Sequence, residues 1–199
     1  MPAERPAFSG PNLCRLTARD AVALLKARKV SPAELIEAAI ARIAQTGPAI
    51  NAMVTLAADR ARAALPDPDS LLAGLPIGIK DLTPVAGVRT TWGTLAFADH
   101  VPDASHPLVD RLEARGAVVL GKTNTPELGA GANTFNPVFG PTRNPWDTRL
   151  NAGGSSGGAA AGLATGEVWL SHGSDLGGSL RTPAAYCGIV GLRPGPGTA

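Results

Sequence analysis

Apolar residues recur at helical spacing through the first third of the chain. This spacing predicts one helix over residues 17–29. A second helix begins after Ser31, where Ser31, a proline and Glu34 form a capping-box pattern ahead of an apolar stripe. A third helix is predicted over residues 57–65. Together these segments predict a helical cap that packs on a larger body.

From Gly74 onward the pattern changes to short apolar runs separated by glycine and proline. Strands are predicted at residues 75–79, 117–120 and 168–171, and helices at residues 107–115 and 158–164. Helices that alternate with buried strands are typical of an α/β fold.

Two glycine-rich stretches, residues 135–158 and 172–179, show no period and are interpreted as loops. Irregular loops this long are usually functional. A loosely held polar arm is predicted over residues 1–15. No helix or strand is predicted over residues 191–199. This last stretch is interpreted as a cut rather than as the end of a finished domain.

Composition excludes several classes of protein. The chain has 24 glycines and 18 prolines in 199 residues, with 44% hydrophobic and only 17% charged residues. A disordered chain would be rich in charge and poor in apolar residues. The net charge is +2 with no basic cluster, so no nucleic-acid partner is predicted.

The sequence also predicts a soluble, cytoplasmic protein. No apolar run approaches the roughly 20 residues of a membrane span, and the first residues lack the apolar stretch of a signal peptide. The two cysteines, Cys14 and Cys187, make no disulfide framework and fit a reducing compartment.

Residues 116–123 match the phosphate-binding pattern G-x-x-x-x-G-K-[ST], with Lys122 as its lysine. That loop must expose backbone N–H groups to phosphate, and a helix must follow it. Here the intervening residues are strand-like and Asn124 and Pro126 follow, so phosphate binding is disfavoured.

Residues 153–157 match the nucleophile elbow G-x-S-x-G, with Ser155 as the nucleophile. The elbow needs a strand before the serine, and then an acid followed by a histidine. The preceding residues are poor strand formers, and the only later histidine, His172, precedes Asp175. This alternative stays open.

Lys80 follows the predicted strand at residues 75–79 and could act as a base. A serine alcohol needs a base to become a good nucleophile. Burial disfavours the charged ammonium and so lowers the pKa of a lysine. Taken singly, Lys80 better fits a solvated strand-end lysine, and Ser155 and Ser179 better fit turn serines.

Taken together, these segments resemble the amidase signature family from about residue 13 to residue 194. The resemblance is carried by residues 74–81, 121–124, 139–147, 153–158, 173–184 and 191–194. It implies an α/β fold with a mixed twisted β-sheet covered by helices. Because relatives continue further, it also implies a C-terminally truncated chain.

The resemblance divides the chain in two. Residues 1–66 would be the arm and helical cap, and residues 67–199 the N-terminal part of the catalytic domain. It also implies a Ser-Ser-Lys triad, in which Ser179 is the acyl-forming nucleophile and Lys80 the base. Ser155 would be the bridging serine, preceded by a cis peptide bond.

The resemblance assigns substrate-binding roles to backbone groups. The N–H groups of Leu176, Gly177, Gly178 and Ser179 would bind the negative charge that develops on the substrate oxygen. Gly129 would line the substrate channel.

Residues near the proposed triad carry three further predictions. Ser156 would either orient the triad or cap the following helix. Asp175 and Arg181 would pair and brace the glycine loop. Cys187 is interpreted as a small buried core residue.

The resemblance implies hydrolysis of a small carboxylic amide to an acid and ammonia or an amine. No cofactor, metal, nucleic acid or membrane is implied, and a homodimer is compatible with it. Two alternatives remain: the amidase subunit of a tRNA-dependent amidotransferase, and an inactive truncated remnant.

Overall fold

The computed structural model describes residues 12–195 and residue 197. The α-helices are α1 (Ala18–Lys26), α2 (Pro32–Ile50), α3 (Ala58–Ala63), α4 (Pro107–Ala114), α5 (Gly157–Thr165) and α6 (Arg181–Cys187). The strands are β1 (Met53–Leu56), β2 (Pro76–Lys80), β3 (Val118–Thr123), β4 (Phe135–Asn136), β5 (Gly140–Pro141) and β6 (Leu170–His172). Short 3-10 helices span Asn12–Arg15, Leu95–Phe97 and Glu127–Gly129.

Four strands form one sheet in the order β1–β3–β2–β6. β2 runs parallel to β3 and to β6, whereas β1 runs antiparallel to β3. The predicted α/β fold with a mixed sheet is therefore confirmed. β4 and β5 pair as a separate antiparallel hairpin inside the predicted long loop.

The two central strands are buried along their whole length. Parallel strands covered on both faces are typically apolar throughout. Val118 and Leu120 pack into a core shared with α1 and α2, while Ile77 and Val119 pack into a second core shared with α4. Helices therefore cover both faces of β2 and β3.

α1 and α2 both begin after a side-chain cap, and the cap at Ser31 is the capping box that the sequence predicts. The Asp20 N–H donates to Thr17 Oγ1 at 3.1 Å. Ser31 and Glu34 form a reciprocal capping box, with N–H to side-chain distances of 2.8 and 3.2 Å. Each cap satisfies N–H groups that a helix leaves open. α1 ends earlier than predicted, and Arg28 beyond it has a left-handed φ of +53°.

Apart from the β4–β5 hairpin and the short 3-10 helices, two elements were not predicted, β1 and α6. β1 has four residues at an edge of the sheet and is only partly buried, so it lacks a continuous apolar run. α6 follows the second glycine loop, carries Pro183 near its start and has no side-chain cap at Leu180. Neither element carries a local pattern strong enough to identify it.

The loosely held arm predicted over residues 1–15 is wrong at its C-terminal end. Residues 12–15 form a 3-10 helix that packs on α2, with Cys14 buried. The Cys14 thiol donates to Ala38 O at 3.5 Å, and Trp169 Nε1 donates to Leu13 O at 3.2 Å. Residues 1–11 lie outside the described part of the chain. The division at residue 66 stays a prediction.

The longest described helix is α2, with 19 residues. No helix in the described part of the chain combines the length and hydrophobicity needed to cross a bilayer.

Helix α5 packs against the backbone at Gly158. A Cβ there would lie 2.2 Å from Asn124 N and 2.8 Å from Ala52 O. We expect Gly158→Ala to lower the free energy of unfolding by about 3 kcal/mol. In the same helix, the nearest atom to a Cβ on Gly162 would be 3.6 Å away, so Gly162→Ala should cost nothing. Urea unfolding measures both, and equal effects would contradict this packing.

The parallel strands bring their C-terminal ends to one edge of the sheet. β2 ends at Lys80, opposite Thr123 of β3, and β6 ends at His172, opposite Ile79. Open α/β sheets bind ligands at the carboxyl edge of their strands. The loops that follow β2, β3 and β6 therefore outline the candidate site.

Candidate active site

Lys80 lies at the end of β2 and is completely buried. Its Nζ lies 2.7 Å from Ser155 Oγ and 3.0 Å from Ser174 Oγ. The structure thus brings together two of the predicted site residues, Lys80 and Ser155, which are 75 positions apart in the chain.

Burial lowers the pKa of Lys80 to about 8, while the negative charge of Asp175 acts in the opposite direction. Desolvation disfavours the ammonium form, so a lysine of this pKa is neutral in about a tenth of molecules at pH 7. The amine can therefore accept a proton near physiological pH.

Ser155 is almost fully buried at the start of the segment that leads into α5. The Gly154–Ser155 peptide bond is cis, as the resemblance implied. A Cβ on Gly154 would lie 2.8 Å from backbone atoms of residues 131–133, so only glycine fits there. Thr134 Oγ1 donates to Gly153 O at 2.8 Å and accepts from Gly157 N at 3.0 Å. These contacts hold Ser155 in place from both sides.

Ser179 is half-buried in the second glycine loop. Its carbonyl oxygen accepts the N–H of Ser156 at 3.0 Å, which ties the two serine-bearing loops together. Within residues 12–195 its hydroxyl has no hydrogen-bond partner. The structure therefore places Ser179 beside the segment of Ser155 without a direct bond between the two hydroxyls.

Asp175 organises the glycine loop. Its carboxylate accepts Gly178 N at 2.7 Å and Leu180 N at 3.1 Å, and it pairs with Arg181 Nε at 2.9 Å. The hydrogen bonds from the Arg181 guanidinium hold the pKa of Asp175 well below its usual range. The predicted pairing of Asp175 with Arg181 is confirmed.

The loop differs from expectation at Gly178. Its N–H already donates to Asp175, so this amide is not free to bind a developing oxyanion. Among the described residues, the N–H groups of Leu176, Gly177 and Ser179 have no protein acceptor. The Leu176 side chain is 99% exposed, so only its backbone belongs to the loop structure. Gly178 has a φ of +121°, which favours glycine and shapes the turn.

Ser174 is a site residue that sequence reasoning missed. Its Oγ accepts from Lys80, and its backbone is held by Ser156, whose Oγ accepts Ser174 N at 3.3 Å and donates to Ser174 O at 3.2 Å. Ser156 occupies the N-cap position of α5, but its side chain caps nothing. Ser156 is therefore connected to Lys80 through Ser174. A serine two residues beyond β6 was the one available signal.

Gly129 lies close to the segment that follows Lys80. Its φ is +73°, and a Cβ there would lie 2.8 Å from Leu82 Cδ2. Close approach and backbone conformation both favour glycine. Its role in substrate binding stays a prediction.

The described residues show neither a cluster of metal ligands nor a reactive cysteine. They contain no cluster of three or more His, Cys, Asp or Glu side chains that could hold a metal ion. Cys14 and Cys187 are both buried, and burial raises the pKa of each thiol to about 11. Such thiols stay protonated and are poor nucleophiles. Cys187 is the core residue that was predicted.

The two competing motif interpretations meet the structure differently. Residues 118–123 form strand β3 and not a loop, so the phosphate-binding interpretation, which the sequence already disfavoured, is wrong. The nucleophile elbow needs a strand directly before Ser155, and residues 149–154 form none beyond one isolated bridge at Asn151.

Comparison with known proteins gives a consistent result. A family model described as Amidase matches residues 34–198. A glutamyl-tRNA(Gln) amidotransferase subunit from Anaeromyxobacter dehalogenans (strain 2CP-C) is 44% identical over 191 residues, covering 92% of this chain and 39% of that protein. The chain thus spans about two fifths of the length of the curated relatives it matches.

Solved structures agree. A 6-aminohexanoate cyclic dimer hydrolase complexed with substrate superimposes with a TM-score of 0.85 at 34% identity, covering 89% of this chain and 37% of that one. A bacterial aryl acylamidase of the amidase signature enzymes superimposes with a TM-score of 0.80 at 38% identity, covering 85% and 37%.

Proposed function

This chain belongs to the amidase signature family, and we propose on that basis that it hydrolyses the C–N bond of a carboxylic amide through Lys80, Ser155 and Ser179. The observation that carries the proposal is the 2.7 Å contact between the buried Lys80 amine and Ser155 Oγ. A lysine with a lowered pKa beside a serine is an activated base–alcohol pair.

The first step is proton transfer along this pair. Neutral Lys80 accepts the hydroxyl proton of Ser155, and Ser155 accepts the proton of Ser179. Ser179 Oγ then forms a bond to the substrate carbonyl carbon, and the carbonyl π electrons move to its oxygen. The backbone bond between Ser156 and Ser179 supports this order, because it holds the two loops side by side.

The oxyanion is stabilised by backbone donors. The N–H groups of Leu176, Gly177 and Ser179 are open for it, whereas Asp175 retains Gly178. Preorganised amides of this kind act where charge develops, at no cost in reorganisation. Asp175 and Arg181 contribute by keeping the loop in shape.

Collapse of the intermediate breaks the C–N bond. Ser155 returns a proton to the leaving nitrogen, which departs as ammonia or an amine and leaves an ester on Ser179. Water then attacks the ester carbonyl and gives its proton to the same relay. The acid leaves, and Ser179 regains its hydroxyl.

A role within a tRNA-dependent amidotransferase remains a second candidate, supported by the 44% identity to one component of such an enzyme. The same residues would then release ammonia from glutamine for use by a partner protein. Three further points remain hypotheses: a homodimer, a cytoplasmic location, and inactivity of this 199-residue chain on its own.

A fluorophosphonate probe tests the proposal directly, because it esterifies an activated serine. We expect peptide mapping of the labelled chain to find the phosphonyl group on Ser179. Label on Ser155 instead would favour the nucleophile elbow, and no label would favour the inactive remnant. Ammonia release from a simple aromatic amide indicates an amidase. A requirement for a partner and glutamine indicates the amidotransferase.

A further inference from the structure

Lys122 has a buried position that the proposed reaction does not explain. It belongs to the Gly-Lys-Thr run that resembles a phosphate-binding loop, yet it lies in β3 with no exposed surface. Its Nζ donates to Thr83 O at 2.8 Å and to Thr90 Oγ1 at 2.7 Å, and lies 3.4 Å from Asp81 Oδ1. A buried lysine of this kind needs a charged partner.

That partner, Asp81, directly follows Lys80 in the chain. Both Asp81 oxygens accept the N–H of Thr91 at 3.2 Å, and Oδ2 also accepts Thr91 Oγ1 at 2.5 Å. The Asp81 side chain is fully buried. Burial raises the pKa of Asp81, and the Lys122 ammonium counteracts this effect. The Lys122 ammonium thus stabilises the Asp81 carboxylate, and both oxygens of this carboxylate accept hydrogen bonds from Thr91.

The turn at residues 91–93 is connected to a second turn at residues 127–129. Thr91 Oγ1 accepts Gly93 N at 3.0 Å, and Trp92 O accepts Leu128 N at 2.7 Å. A Cβ on Gly93 would lie 3.2 Å from the Cα of Glu127, so the two turns are in close contact. Trp92 and Leu128 both have left-handed φ angles, of +51° and +53°. Conformations of this kind persist only where neighbouring contacts enforce them.

The segment 127–133 lies between the two parts of the candidate active site. At one end Gly129 contacts Leu82, two residues beyond Lys80, and at the other end residues 131–133 contact Gly154. The segment borders a cavity of about 250 Å³. Leu128 is 61% exposed, so its own side chain does little to hold the segment.

We propose that Asp81, supported by Lys122, is a positioning residue that holds the 127–133 segment as a wall of the substrate site through Thr91 and Trp92. This inference rests on the proposed amidase function. It assigns Asp81 to substrate fit and leaves proton transfer to Lys80, although the two residues are adjacent.

Two variants interrupt the connection at different points. Asp81→Asn removes the charge and one acceptor oxygen, and Thr91→Val removes the hydroxyl while leaving both charges. We expect each to raise KM about tenfold with kcat changed less than about threefold, because substrate fit and not chemistry is affected. We also expect the Leu128 amide to exchange with solvent at least about tenfold faster, since its acceptor becomes mobile.

The matched control is Thr142→Val. Thr142 is an equally buried threonine outside this connection, and its hydroxyl contacts Asn51 O and Asn124 Nδ2. It should lower stability without changing KM or the exchange of Leu128. Asp81→Asn/Lys122→Met, which leaves no unpaired charge, should keep the fold and still show the raised KM.

Amide exchange needs no turnover, so it separates the two proposals. If the wild-type chain has no activity with any amide, the proposed function fails, and Leu128 exchange alone decides whether Asp81 holds the segment. Unchanged exchange in Thr91→Val and Asp81→Asn would overturn the inference. Faster exchange with an unchanged KM would overturn it as well, because the segment would then not contact substrate.

Discussion

Ser179→Ala is expected to reduce amide turnover to the background rate. The substitution removes the only oxygen on which the proposed acyl-enzyme forms, so neither half of the reaction can proceed. Residues that act as a catalytic unit cost about 10⁴-fold or more in kcat when one is removed. Ammonia release at saturating amide, followed over hours, measures the loss.

The control for this variant is Ser171→Ala. Ser171 is also a half-buried serine, but its hydroxyl donates to Gly78 O at 3.2 Å on β2. It should retain most of the wild-type turnover. Full activity in Ser179→Ala together with loss in Ser155→Ala would show that Ser155 is the nucleophile.

Lys80→Met is expected to lower kcat/KM by about three orders of magnitude or more, because no base remains to deprotonate Ser155. Methionine has a similar length and suits a buried position better than an amine, so the fold should persist. Thermal unfolding of Lys80→Met at or above the wild-type temperature would separate lost chemistry from lost structure. Substantial turnover in this variant would contradict the assignment of the base.

The pH dependence gives a second measure of Lys80. The pKa of about 8 means that the amine is charged below pH 8 and neutral above it. The wild-type kcat/KM should therefore fall about tenfold per pH unit below 8 and level off above it. Burial also lowers the pKa of Lys122 to about 8. The acid limb should disappear in Lys80→Met and persist in Lys122→Met, and the reverse result would point to Lys122.

The sequence predicted those elements whose cause is local. The capping box at Ser31 and Glu34 located α2, and the apolar run ending at Lys80 located β2. β1 and α6 carry no such pattern, because their placement depends on packing against the sheet and the glycine loop. The left-handed turn at Leu128 depends on Trp92, which is distant in sequence, and no local pattern predicts it.

The candidate site divides in the same way. Lys80, Ser155 and Ser179 could be singled out because the segments that carry them together resemble the amidase signature family, although each residue alone better fits a structural role. Ser174 could not, because its contact with Lys80 joins residues 94 positions apart in the chain. The hydrogen bond that engages Gly178 was also invisible, since it depends on where the Asp175 carboxylate points once Arg181 holds it.

The adjacency of Lys80 and Asp81 makes the site unusually sensitive to chain length in β2. Successive side chains of an extended segment point to opposite faces, so the amine meets Ser155 while the next residue meets Lys122. Deleting one residue upstream in β2 would shift the register of the strand by one residue and place the Asp81 carboxylate opposite Ser155. A carboxylate with an ordinary pKa cannot take the place of a neutral amine near pH 8. Conservative substitutions at the apolar positions Ile77 and Ile79 of this strand are therefore easier to accommodate than a single-codon gain or loss.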